Sequence, residues 1–202
     1  MTFKSPSRSG LRAPCIVAIA AALGLAGCAS PEPSYYTLQP VPGATLAQPQ
    51  ASVEVRRPGL AGYLDRSDVV LKNADYKLAV DGQLRWGEPL GDMIGRVLTQ
   101  DLSQRLPGSS VFAQSGAISA EPQLRVEVDI LTFDADATGT VVLNAQLAVE
   151  RGVSHQSLAT RHISLSAHPA GPDPANLVAT MSTLLGQLAD HLAADIAGAP
   201  AA

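Results

Sequence analysis

Two cysteines, four histidines and 18 carboxylates are the groups in this 202-residue chain first to be weighed for attacking a carbon, shuttling a proton or holding a metal. Their spacing supports little of that chemistry. His155, His162, His168 and His191 all fall late in the chain, and there is no CxxC and no Cys/His cluster of the kind zinc requires. Scattered structural or surface histidines are the reading this spacing supports, and no metal site is assigned. Asp65 and Glu88 can be imagined as an acid/base pair. Nothing in the sequence brings them together, and carboxylates beside turns and helix starts are common. GxSxG, HExxH, GxGxxG and the P-loop are absent. No catalytic residue, no ATPase activity and no cofactor are therefore expected.

The reactive group with an informative setting is the thiol of Cys28. Lys4, Arg8 and Arg12 are the only charges before Glu32, and an apolar run from Ala13 to Leu25 follows them. That run is too short for a membrane-spanning helix, which needs about 20 residues. A basic start with a short apolar core reads as a secretory signal. It ends in Leu25-Ala26-Gly27-Cys28, which resembles the bacterial lipobox. The resemblance implies cleavage between Gly27 and Cys28, a diacylglycerol on the Cys28 sulfur and an acyl chain on the new amino terminus. Small residues at 26 and 27 let a peptidase reach the backbone, and the thiol is the soft nucleophile that lipid alkylates. One acyl chain binds a bilayer only marginally, whereas two or three hold a protein there.

Residues 1–27 are thus expected to be removed, taking Cys15 with them. No free thiol remains afterwards, so the mature chain is expected to have no disulfide. It keeps 11 basic residues against 18 acidic ones. A net charge of −7 argues against nucleic acid as a partner and against anionic lipid heads as the main attachment. Ala29 and Ser30 follow the cysteine, without the Asp that retains enterobacterial lipoproteins in the inner membrane. The expected location is the periplasmic face of the outer membrane. Residues 28–34 form a Pro-rich tether that reaches only about 20 Å.

Beyond the tether the chain reads as strands, a helix, strands and a second helix. Tyr35-Tyr36-Thr37-Leu38 and Ala51–Arg57 are strands, with Pro40, Pro42, Gly43 and Pro49 in the loop between them. Asp68–Lys72 and Tyr76–Val80 are strands joined by an Asn73-Ala74-Asp75 turn, and Asp81-Gly82 is a second turn before Gln83–Trp86. Leu90, Met93, Ile94, Val97, Leu98, Leu102 and Leu106, with Asp101 beside Leu102, repeat at the helical period. Pro89 suits the first helical position, Glu88 and Asp92 suit the positive end of the dipole, and Pro107-Gly108 stops the helix. Val111–Ala113 is a short strand. Gln123–Asp134, Thr140–Arg151 and Ser157–Ala167 form an antiparallel meander, with a phase slip to Leu131 and Phe133 that reads as a bulge or a twist. Leu177, Val178, Met181, Leu184, Leu185, Leu188, Leu192 and Ile196 mark a final helix over about 175–196. The expected fold is α+β: one domain over 35–197, a mainly antiparallel sheet with two amphipathic helices packed on one face, and a frayed tail at 198–202.

One ordered constellation runs through these elements. Tyr35-Tyr36-Thr37-Leu38 follows the lipobox. Leu60-Ala61-Gly62-Tyr63-Leu64-Asp65-Arg66 comes next, then Trp86-Gly87-Glu88-Pro89-Leu90 at the first helix start. This order resembles the ABC-type transport auxiliary lipoprotein family, of the PqiC/YmbA-like kind, over nearly the whole mature chain. The family often has Pro near Leu60 and after Arg66, where this chain departs from it. The residues carried over are Tyr36, Leu38, Tyr63, Leu64, Asp65, Arg66, Trp86, Glu88, Pro89 and Leu90. The resemblance implies a non-catalytic subunit serving an MCE-type or ABC-type transport system. Its partners would be an MCE-domain tunnel protein and an inner-membrane permease or PqiA-like protein. Its cargo would be phospholipid or another hydrophobic molecule. A homo-oligomer capping a ring-shaped tunnel is plausible on the same ground. An envelope structural or assembly lipoprotein without a transport partner is the alternative. Tyr63-Leu64 reads either as an exposed partner contact or, preferably, as local packing of Tyr63 on Trp86, with Asp65 or Arg66 in a local ion pair or hydrogen bond.

Overall fold

Alternation of Val126, Val128 and Ile130 with polar neighbours dictates a strand with one wet face, and the next two segments repeat that pattern. In the computed structural model they pair as expected. The described residues are 1–2, 32–47, 50–114 and 120–200. The chain divides into two units, Met1–Glu32 and Pro33–Ala202, and every element described lies in the second. In chain order the elements are β1 (Ser34–Tyr36), β2 (Ser52–Val55), β3 (Gly59–Leu60), β4 (Asp68–Ala74), β5 (Lys77–Trp86), α1 (Leu90–Arg105), β6 (Ser110–Ala113), β7 (Leu124–Ala135), β8 (Val141–Arg151), β9 (Ser157–Ala167) and α2 (Pro174–Ala197).

The fold is the expected single α+β domain. One sheet runs β6-β2-β7-β8-β9, with β3 added beside β7, and a smaller one runs β1-β5-β4. β7–β8 and β8–β9 are antiparallel, and a bulge falls between Ile130 and Thr132, where the phase slips. Beyond the bulge, Phe133 is buried and Leu131 is exposed. The short strands β2, β3 and β6 join this sheet in parallel, as β1 joins β5. Sequence periodicity is the same in both senses, so it carried no signal for those pairings.

Both helices cover the inner face of the large sheet, α2 lying across β7, β8 and β9, and α1 beside α2 and β6. Met93, Ile94, Val97 and Leu98 of α1, and Leu184, Leu185, Leu188 and Leu192 of α2, are fully buried with Val126, Ile130, Leu143 and Ala145. Each of these side chains other than Ala145 contributes about 1.5–3 kcal/mol by leaving water. The outer face stays polar. Arg125 bonds Glu54 at 3.0 Å, and Arg56 bonds Glu127 at 3.2 Å. A one-sided sheet of this kind needs no second layer.

Three expected boundaries move. The β4–β5 turn is centred on Asp75 and Tyr76, at φ 52° and 60°, while Asn73 and Ala74 belong to β4. Two successive left-handed residues match the twist of the hairpin. Asp81-Gly82 is not a turn, because β5 continues through it. Val80 pairs with Val70 and Arg85 with Asp68, so the extra residues of β5 form a bulge there. The Asp81 carboxylate accepts from the Gln83 N–H at 2.9 Å, the local bond that gives Asp its turn signal. Pro89 is the N-cap of α1 rather than its first helical residue, with ψ at 129°.

Candidate functional site

The constellation picked out in sequence is assembled by backbone bonds at the junction of the small sheet and α1. Tyr36 lies opposite Trp86 in the parallel β1–β5 pair, and the Gly87 N–H donates to the Tyr36 carbonyl at 2.9 Å. The Trp86 N–H donates to the Ser67 carbonyl at 2.8 Å, so the loop after Arg66 is tied to the strand that leads into α1. The same loop is tied to the large sheet, where the Ala61 N–H donates to the Ile130 carbonyl at 2.8 Å.

Within this junction the side chains divide between core and rim. Leu38, Leu64, Trp86 and Leu90 are buried, and the Leu38 N–H points at the Met93 sulfur, 3.1 Å away. Leu64 is therefore a core residue. Tyr63 packs partly on the core and donates its hydroxyl to Asp134 Oδ2 at 2.6 Å. Burial raises the Asp134 pKa above the usual carboxylate range, and the Tyr63 hydrogen bond opposes that rise. Arg66 lies 3.7 Å from Asp68, a loose local ion pair. Glu88 holds Arg96 at 2.6 Å, and Arg96 also reaches the Thr37 hydroxyl at 3.4 Å. Asp92 pairs instead with Arg57 at 2.6 Å.

A shallow cleft of about 360 Å³ opens on this rim, lined by Asp65, Arg66, Ser67, Trp86, Glu88 and Pro89. Asp65 and Glu88 do meet on one surface, although no sequence feature foretold it. Glu88 is already engaged by Arg96, and Arg66 stands on the same rim, so the cleft carries mixed charge over an aromatic and proline floor. Such a surface suits contact with another chain. The histidines are not brought together. His155 sits by Arg125 and Glu150, while His168 sits by Thr140. Among the described residues no three His, Cys, Asp or Glu side chains converge as a metal site. Gly27 and Cys28 lie outside the described residues.

Sequence reasoning missed a buried ionic staple at the other end of α1. Arg105 and Asp101 are both 1% exposed. Arg105 Nε donates to Asp190 at 2.6 Å, and its terminal nitrogens donate to the carbonyls of Val41 at 3.0 Å and Gly186 at 2.9 Å. Asp101 Oδ1 accepts the Val41 N–H at 2.8 Å, and Oδ2 has no partner. The Pro-rich loop after β1 is thereby pinned over both helices. The loop lies so close that a Cβ on Gly43 would collide with the guanidinium. The available signal was a carboxylate within the apolar stripe of α1, with an Arg one turn later.

Burial pushes the Asp101 carboxyl up to about 6 from 3.8, against the Val41 hydrogen bond and the Arg105 charge. The folded chain then binds more protons than the unfolded chain between those values. Stability from this group is full below about pH 4 and is lost as pH rises through about 6. Asp101→Asn removes the titration. Denaturant midpoints of the full chain across that window are expected to fall with pH for the wild type relative to the variant. Parallel profiles would refute the assignment.

The sequence matches one family model, described as the ABC-type transport auxiliary lipoprotein component, over residues 36–193. The chain belongs to this family. Two crystal structures share its fold at a TM-score of 0.68. One, described only as an uncharacterized protein, is 19% identical and covers 82% of this chain and 99% of its own. The other, protein XCC0632 from Xanthomonas campestris, is 15% identical and covers 81% and 94%. No curated protein matches the sequence. Membership makes the chain an auxiliary component of a transport system and implies a partner from that system. No helix among the described residues is long and apolar enough to cross a membrane, which leaves β-barrels unaddressed.

Proposed function

We propose that this auxiliary lipoprotein is a non-catalytic docking subunit. Acyl chains on Cys28 hold it at the periplasmic face of the outer membrane. There it receives the end of an MCE-domain tunnel whose inner-membrane end is a permease or PqiA-like protein. The cargo is phospholipid or another hydrophobic molecule, and the assembly supports membrane integrity. A ring-shaped tunnel end is met by several copies of the chain.

The observation that carries this reading is the family match over 36–193. Two further features support it. Five residues lie between Cys28 and Ser34, a reach of at most about 20 Å, so the domain works close to the bilayer. The rim cleft beside Trp86 and Pro89 is of a kind that suits a protein partner. The test is a pull-down of the tagged full chain from detergent-solubilised envelope. Co-purification of an MCE-domain protein with its permease or PqiA-like partner is expected. Recovery of the chain without any of them would overturn the docking role and favour a purely structural envelope lipoprotein.

A further inference from the structure

The β4–β5 hairpin carries apolar side chains out of the core. Trp86 is buried, Leu84 and Val80 are partly buried against the core, Leu78 is 40% exposed, and Tyr76 at the tip is fully exposed. Leu84 and Trp86 share one face at the base of the hairpin; beyond the bulge, Val80 pairs with Val70, and Tyr76 stands in the turn outside β5. β1 pairs with β5 only at Leu84–Trp86, so it supports the base of the hairpin and not its outer half.

The sense of that pairing points the hairpin. β1 runs parallel to β5, so the chain enters β1 at Ser34 from the tip side. Six residues before Ser34 is Cys28, within about 20 Å of chain. From Leu84 back to Lys77 is seven residues, at most about 23 Å along the same direction, and the bulge shortens it. At full extension the tether can reach as far as the arm does.

From this we infer that the hairpin tip, Tyr76 with Leu78, rests in the interfacial zone of the same bilayer that holds the Cys28 acyl chains. The inference rests on the lipidation of Cys28. A tyrosine has the chemistry for that depth, with a ring for the apolar side and a hydroxyl for the headgroups. Asp75 and Asp81 balance Lys72 and Lys77 along the hairpin, so a zwitterionic lipid surface fits it. The contact adds little to the hold of the acyl chains. What it supplies is orientation, because an anchor and a second point of contact together set the tilt of the domain.

The test uses the full lipidated chain in vesicles of phosphatidylethanolamine and phosphatidylcholine. Tyr76→Cys is labelled with an environment-sensitive fluorophore, and Val153→Cys, exposed in the β8–β9 turn, is the control. A blue shift and a several-fold loss of intensity to lipids quenched near the headgroup are expected at 76, with neither at 153. Water-like emission at 76 from vesicle-bound protein would overturn the hairpin contact and leave the anchor standing. Failure of the unlabelled chain to float with vesicles would overturn both. Shielding of the probe at 76 without lipid, in the Cys28→Ala background, would mean that a second copy covers the tip and would equally overturn the inference.

Discussion

Arg105→Ala is expected to destabilise the fold by about 3–5 kcal/mol, the range for removing one partner from a buried ion pair. The loss has three sources. Asp101 keeps its buried carboxylate but loses the nearest positive charge, 3.7 Å away. The carbonyls of Val41 and Gly186 lose their donor in a region that water does not reach freely. Asp190 is half-exposed, and its share is small because water replaces the guanidinium there. Urea unfolding followed through Trp86, the single and buried tryptophan, reads the effect directly. Arg105→Lys keeps the charge but concentrates its donors on one nitrogen, and it is expected to recover only part of the loss. A double-mutant cycle with Asp101→Asn isolates the pair. A loss below about 1 kcal/mol for Arg105→Ala would mean that the staple is incidental to the fold.

Cys28→Ala is expected to move the protein from the washed membrane fraction to the soluble one without unfolding it. Each buried methylene contributes about 0.8 kcal/mol, so two or three acyl chains outweigh any other membrane contact this acidic domain offers. A single tyrosine and a half-exposed leucine at a hairpin tip do not replace them. The core, the staple and the meander all lie within residues 33–200, so the Trp86 emission and urea midpoint should match the wild type. Retention of the variant in washed membranes would refute the anchoring role of Cys28. A soluble but unfolded variant would refute the independence of domain and anchor.

The long elements were legible because their signals are local. Eleven-residue strands with one largely apolar face and helices with seven or eight apolar positions at one period leave few other ways to bury the same side chains. The irregularity in β7 was legible as a bulge or a twist, since a change of exposed face is written into the sequence at Leu131 and Phe133, and the pairing with β8 makes it a bulge. The Asp81-Gly82 pair shows the opposite case. Its residues favour a turn locally, yet pairing of β5 with β4 on both sides of it keeps the strand extended and leaves the two residues in a bulge. The motif residues were found through family resemblance, and their mutual placement came only with the fold.

By itself, the sequence determined the α+β class, the meander and the two apolar helix faces, because each depends on the type and period of neighbouring residues, and residues 4–28 carry the resemblance to a lipobox signal on which the anchoring proposal rests. Tertiary structure alone decided the parallel joining of β1, β2, β3 and β6, the bonding of Tyr63 to Asp134, the meeting of Asp65 and Glu88 on one rim, and the staple from Arg105 to Val41, Gly186 and Asp190. Those contacts join residues far apart along the chain. Their free energy depends on burial and on hydrogen-bond geometry at the point of meeting, and neither quantity exists until the sheets and helices have closed over it.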